Sequence, residues 1–301
     1  MVAMKRKFLF KFFLLLFIVS IGLLANSYYK SYKADKLYSE AREMYYKNVE
    51  EVLDKKINVE NPEEVIDITE ESENPQDSQE VNDMDSPEEA SEEEPQEDNT
   101  TEEPAAQEPQ QDNQVSQEDV AFEENVIGWI NVEGTNIDYP VVQADDNEYY
   151  LTRNYKGEKD SYGSIYMDFR NVRVGRDDNI IIYGHKIRDG SMFSDLAMYT
   201  NEGTYEQYFE NNNIISLDHN GERTTWEIYS AYVVNLDRED YHLFTIFKDR
   251  EKYTDFLEVS KERSLIKKDI ELTENDTVIS LVTCNFWYDN ARVIVHGKLI
   301  E

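Results

Sequence analysis

Three residues of this 301-residue chain form a set that can transfer an acyl group. Cys284, the only cysteine, closes an apolar run, Thr277-Val-Ile-Ser-Leu-Val-Thr-Cys284. Taken alone, such a thiol is read as a small buried hydrophobe. Two other segments change that reading. Asn179-Ile-Ile-Ile-Tyr-Gly-His185 ends a second apolar run in a histidine, and Arg292-Val-Ile-Val-His-Gly-Lys-Leu299 opens a third run with an arginine. A thiolate nucleophile needs a neighbouring base or cation. The intermediate of acyl transfer carries an oxyanion, which needs positioned donors. A guanidinium is always charged and presents a rigid fork of N–H groups. Cys284, His185 and Arg292 together supply all three functions.

Other chemistries fit less well. Papain-like cysteine peptidases place the cysteine before the histidine, whereas His185 precedes Cys284. One cysteine excludes an internal disulfide and a cysteine-rich zinc site. The four histidines do not pair at metal-ligand spacing, so no metal and no cofactor is expected. Of them, His219 beside Asn220-Gly221 reads as a turn residue, His242 has no assigned role, and His296 alternates with Arg292 along a strand, as a wall residue would. Asp289, in the loop after Cys284, is read as solvated, with orientation of His185 as the alternative. A non-catalytic surface-binding or scaffold protein is the reading from a different functional class.

These residues need a scaffold that brings strand ends together. From about residue 121 to Glu301 the chain is rich in Tyr, Ile, Val and Phe, in short runs separated by turn signals. Asn179 to Tyr183, Ile214 to Leu217, Thr225 to Val234, Thr277 to Thr283 and Arg292 to Ile300 read as strands. Asn220-Gly221 is a hairpin turn between two of them. The short stretch from Asn285 to Ala291 fits an antiparallel hairpin that returns Arg292 beside Cys284. Met192 to Tyr208 reads as one or two short helices, and Asp249 to Ser264 as another, with Tyr253, Phe256, Leu257 and Ser260 at helical spacing. The mixture predicts a mainly β domain, a barrel with helices inserted between strands.

The N-terminal third is organised differently. Lys5-Arg6-Lys7 precedes an apolar stretch from Phe8 to Ala25, long enough to span a bilayer if Lys11 snorkels to the cytoplasmic interface. The basic cluster predicts an inside N-terminus and an extracytoplasmic remainder. Leu23 stands where a signal-peptide cleavage site wants a small residue, which favours an uncleaved anchor over residues 8–27. Residues 28–57 follow a helical pattern, with Leu37, Ala41, Met44, Tyr45, Val49, Val52 and Leu53 on one face, and read as a stalk. Residues 58–120 contain six of the seven prolines. From Ile57 to Thr152 there is no Lys or Arg. This composition predicts a disordered acidic tether that holds the folded module away from the membrane. The formal net charge of −34 therefore reports mainly this segment, and no basic cluster suggests nucleic-acid binding.

The order of the motifs resembles the sortase family. A histidine is followed by Ser280-Leu281-Val282-Thr283-Cys284, and an arginine comes a short loop later. The first position carries Ser where that family usually has Thr, which keeps the hydroxyl. Ile137-Asp-Tyr-Pro-Val-Val-Gln143, Asp146-Asn-Glu-Tyr-Tyr-Leu151, Gly163-Ser-Ile-Tyr-Met-Asp-Phe169, Tyr183-Gly-His185 and Asp189-Gly-Ser-Met-Phe193 are similar to class B, as is the helix ahead of the cysteine strand. The resemblance spans about Asn125 to Glu301. It implies a closed eight-stranded barrel, preceded by a transmembrane helix (residues 1–7 cytoplasmic) and the acidic linker, with residues 121–301 as the catalytic domain. It further implies a thiol transpeptidase in which Cys284 attacks the Thr carbonyl of a surface protein's C-terminal sorting motif. His185 then acts as acid and base, Arg292 holds the oxyanion, and the amine of a lipid-linked peptidoglycan precursor accepts the acyl group. Pilus polymerisation is the alternative outcome within the family. Tyr183 is expected to line the groove or pack beside it, and Thr283 to contact substrate or donate a hydrogen bond. Asn147 and Tyr241 fall in segments that line the class B groove.

Overall fold

The computed structural model describes residues 2–60, 125–238, 241–285 and 290–301; side chains are not described for residues 2–8, 52–60 and 284–285. Eight strands close into a barrel. They are β1 (Val126–Val132), β2 (Asp138–Val142), β3 (Ile165–Met167), β4 (Asn179–Tyr183), β5 (Ile214–His219), β6 (Glu222–Asn235), β7 (Val278–Asn285) and β8 (Ala291–Leu299). Around the barrel they run β1-β2-β3-β4-β7-β8-β6-β5, and β5 pairs with β1 to complete the ring. Closure leaves no open sheet edge. Two pairings, β2 with β3 and β4 with β7, are parallel. The fold expected from the motifs is the fold observed.

The barrel closes because its strands alternate. Ile215, Leu217 and His219 of β5 are buried while the residues between them are half-exposed. Ile130, Val141, Ile165, Leu217, Ile279, Leu281, Val293 and Val295 are all fully shielded and meet in one core. Each such side chain contributes about 1.5–3 kcal/mol relative to exposure. The β5–β6 turn is Asn220-Gly221, with φ of 55° and 78°, the left-handed pair that a two-residue hairpin demands. The inserted helices fall where expected: a 3-10 segment at Ser194–Thr200, then α2 (Tyr205–Asn211) and α3 (Arg250–Arg263). Asp249 caps α3 by accepting from the Glu251 N–H at 3.0 Å.

The helix α1 runs unbroken from Val2 to Glu60. It is the helix among the described residues that is long and apolar enough to cross a membrane. Its first part carries exposed Phe, Leu and Ile side chains on all sides, as a lipid-facing segment would. Beyond it, the helix docks on the barrel. Ala34, Tyr38 and Ala41 are buried, and Leu37 and Tyr45 pack beside them. The Tyr45 ring stacks on Trp129 of β1, with centroids 4.3 Å apart and planes 6° from parallel. Arg42 pairs with Asp138 of β2 at 2.8 Å. The Tyr45 hydroxyl donates to Asp218 of β5, which also takes the Arg223 guanidinium at 2.7 and 2.8 Å.

The docking lies within the described residues on either side of the acidic segment. Both flanks of the acidic segment, α1 and β1, belong to one packed body. The segment therefore returns the chain to the barrel that its preceding helix already touches. The apolar face read as a stalk is a barrel-binding face, because Tyr38, Ala41 and Tyr45 match apolar and hydroxyl-accepting partners on β1, β2 and β5. Residues 61–120 of the linker lie outside the described residues.

Candidate active site

The site forms where three strand ends meet. β7 and β8 pair antiparallel with Cys284 opposite Arg292. β4 runs parallel to β7, with Tyr183 opposite Val282, and the Gly184 N–H donates to the Val282 carbonyl at 3.1 Å. β4 ends at Tyr183, and His185 follows two residues beyond that end. Arg292 pairs with the cysteine from β8, and His185 follows the end of β4, the strand on the other side of β7. Nothing in the chain order shows this, because β4 and β7 are distant in sequence. Asp289, the alternative orienter of His185, lies outside the described residues.

His185 is held by its surroundings. Its Nε2 lies 2.7 Å from the Leu151 carbonyl oxygen. A carbonyl only accepts, so Nε2 carries the proton, and the basic nitrogen of the neutral ring is Nδ1. The ring packs against Gly163, where φ is +63°. A Cβ there would stand 2.8 Å from His185 Cδ2, 2.8 Å from the Tyr150 carbonyl and 2.9 Å from that of Leu151. Gly163 is therefore required both by its backbone and by the imidazole. Gly184 makes a second close approach, against Ile165 and Phe193. The helix α1 reaches this region as well. The Tyr38 hydroxyl donates to the Gly163 carbonyl at 2.9 Å, and the Ser31 hydroxyl donates to Asp189 at 2.9 Å.

Beside these residues lies a groove of about 520 Å³. Arg292, Tyr183, Tyr241, Val282, Arg170 and Phe244 line it, among others. Arg292 and Tyr241 thus share one wall with Tyr183. The Tyr183 hydroxyl donates to Asp168 at 2.9 Å, and Arg170 grips the same carboxylate with Nε and NH2, each at 2.8 Å. Burial pushes the Asp168 carboxyl up, but the hydrogen bonds from Arg170, Asn147 and Tyr183 outweigh it and hold the group below its ordinary range. Burial, reinforced by Asp168, raises the Tyr183 phenol, which stays protonated.

Asn147 is placed behind this wall rather than among the lining residues. Its amide donates to Asp168 at 3.0 Å and its carbonyl accepts from the Phe169 N–H at 3.0 Å. Thr283 is buried, in register with the core residue Val293, and its hydroxyl has no partner among the described residues. Tyr241 is held from beneath. Its hydroxyl meets that of Tyr232 at 2.6 Å, Tyr232 meets His296 Nε2 at 2.8 Å, and His296 Nδ1 meets Ser280 at 2.9 Å. His296 is the wall residue expected, fully buried, and burial takes its imidazole down to about 3. His219 is buried at the β5 end, which lowers its pKa too.

Arg170, Phe244 and the exposed His242 are groove residues that the motifs did not single out. The segment around 242–248 forms no strand or helix, so no periodicity marked it. The one available signal for Arg170 was its place two residues from Asp168 in the Gly163–Phe169 motif.

A closed barrel whose cysteine pairs across strands with an arginine, with a histidine just past the end of the neighbouring strand, fits an enzyme of acyl transfer. Residues 130–300 match the Sortase domain family, and the chain belongs to that family. Sortase B of Listeria monocytogenes is 34% identical over 179 residues, which cover 59% of this chain and 70% of the relative. The crystal structure of Clostridium perfringens sortase B is 38% identical, covers 59% of this chain and 94% of its own, and superposes with a TM-score of 0.55. The Staphylococcus aureus sortase B–substrate complex is 32% identical, covers 59% of this chain and 80% of its own, and has a TM-score of 0.53. The resemblance to class B is thereby established, and with it an enzyme: sortases are cysteine transpeptidases.

Proposed function

We propose that this chain is a membrane-anchored sortase that cleaves a C-terminal sorting peptide after Thr and transfers the acyl group to an amine. The observation that carries this reading is the cross-strand pairing of Cys284 with Arg292, beside the end of β4 that leads to His185. The Cys284 thiolate attacks the Thr carbonyl carbon, and the C–S bond forms as the carbonyl π pair moves to oxygen. Arg292 donates to that oxyanion. As the oxyanion collapses, the C–N bond breaks, and His185, which took the Cys284 thiol proton on Nδ1 when the thiolate formed, gives that proton to the departing amine. A thioester now joins the substrate to Cys284. An incoming amine attacks the same carbon, His185 takes its proton, and the thiolate leaves. The groove lined by Tyr183, Tyr241 and Arg292 would take the peptide, with Thr283 and Asn147 supporting its walls. The substrate bound by the S. aureus relative favours a peptide ligand here.

The acceptor on this reading is the amine of a lipid-linked peptidoglycan precursor, and the product is a surface protein fixed to the cell wall. Support comes from α1, whose apolar first part and basic N-terminus fit a single-pass anchor with the barrel outside. Incubation of the full chain with a library of fluorogenic sorting peptides tests the assignment. Cleavage after Thr of one motif class is expected. Cleavage of no Thr-containing motif would count against it.

A further inference from the structure

We propose that a basic groove between α1 and the 152–161 loop binds the phosphate of an anionic phospholipid headgroup and seats the barrel on the membrane face. The inference rests on the reading of α1 as a membrane span. The groove, about 590 Å³, is lined by Tyr29, Lys30 and Lys33 of α1 and by Thr152, Lys159, Asp160 and Ser161 of the loop, three cations to one carboxylate. Lys30, Lys33 and Lys159 are exposed, and among the described residues none is within ion-pair distance of a carboxylate. Asp160 is engaged by the Tyr162 N–H at 2.9 Å, and Asp35 lines the grooves on the other flank of the helix. A net positive cleft with hydroxyls beside it is an unusual feature on a chain of charge −34.

Its position names the ligand. If residues 8–27 span the bilayer, Lys30 and Lys33 lie three and six residues beyond, which at 1.5 Å per residue is about 5–9 Å above the hydrocarbon edge. That is the depth of headgroup phosphates. The helix is unbroken there and fixed to the barrel from Ser31 onward. The 152–161 loop must therefore stand at the same level. Lys159, which belongs to the barrel, meets the headgroups because α1 holds it there. Juxtamembrane lysines are drawn to anionic leaflets. The loop that lines this groove begins next to Leu151, whose carbonyl holds His185. The lipid contact thus borders the catalytic histidine and would orient the site toward an acceptor carried in the membrane.

The test uses the full chain in vesicles of phosphatidylcholine, with and without phosphatidylglycerol. Each lysine is acetylated with a water-soluble reagent and its rate is read by mass spectrometry. Lys159 is expected to react about tenfold more slowly when phosphatidylglycerol is present. Lys252 of α3, on the opposite barrel wall, should not change. Lys33→Gln should restore most of the Lys159 rate, with peptide cleavage in detergent unaltered. Equal protection by inorganic phosphate in phosphatidylcholine vesicles would overturn the lipid assignment in favour of a free anion. No protection in a chain that floats with vesicles after an alkaline wash would overturn the groove while leaving the span intact. A chain that does not float would remove the span, and the proposal with it.

Discussion

Cys284 and Arg292 are cross-strand partners, opposite one another near the end of the β7–β8 hairpin. The pairing sets Arg292 beside Cys284, the nucleophile on the proposed reading. Because the hairpin is part of a closed barrel, the spacing of the pair is inherited from backbone hydrogen bonds.

On the proposed reading the guanidinium is the oxyanion donor, so its shape should matter as much as its charge. Arg292→Lys keeps the charge and loses the fork. Peptide cleavage is expected to fall about 100-fold or more. Melting temperature should change little, since Arg292 has only the Ala291 carbonyl, at 3.1 Å, as a recorded hydrogen-bond partner. A near-normal rate would contradict its role.

Gly163→Ala tests the seat of His185. The added methyl falls 2.8 Å from the imidazole on a backbone with φ of +63°. The ring must move, and kcat is expected to fall about tenfold or more, as misplacement of a reacting group does. KM for the peptide should hold, because Gly163 is not among the lining residues of the groove. Steady-state kinetics separate the two, and an unchanged kcat would contradict the contact.

His296 predicts the sign of one acid effect. Its folded pKa is about 3 against an ordinary 6.5. Between those values the unfolded chain binds a proton that the folded chain does not. Stability is therefore full above about 6.5 and is lost as pH falls, at up to about 1.4 kcal/mol per pH unit. Melting temperature should drop less steeply on acidification in His296→Gln than in the parent. Parallel slopes would contradict the assignment.

Much of this fold was legible because strand periodicity survives in the sequence. Asn179 to Tyr183 was bounded as observed, and the Asn220-Gly221 turn followed from backbone geometry alone. Cys284, His185 and Arg292 stood out because each sits where an apolar run starts or stops. Less legible was what depends on surfaces meeting at a distance. Tyr38, Ala41 and Tyr45 form a good amphipathic face, but periodicity does not say what covers it, and the covering surface is Trp129, Tyr139 and their neighbours. Arg170 is held at the groove by its ion pair with Asp168 and a hydrogen bond to the Leu243 carbonyl at 3.2 Å, contacts that spacing does not announce.

The docked helix makes its own prediction. Ala41 is fully buried in the seam between α1 and the barrel. Ala41→Arg places a long cation there, at a cost of about 1–3 kcal/mol or more. The helix should release, and trypsin should cut at Lys36, Arg42 and Lys47 faster than in the parent. Melting temperature should fall by about 2–4 °C for each kcal/mol lost. Identical cleavage patterns would contradict the docking.

The most direct measurement is the mass of the enzyme after it meets a sorting peptide with no amine acceptor present. The parent chain should gain the acyl fragment of the peptide as a thioester on Cys284, removable by hydroxylamine. Cys284→Ala should gain nothing and cleave nothing. Cleavage by Cys284→Ala at the parental rate, or turnover by the parent with the adduct on another residue, would contradict the assignment of Cys284 as nucleophile.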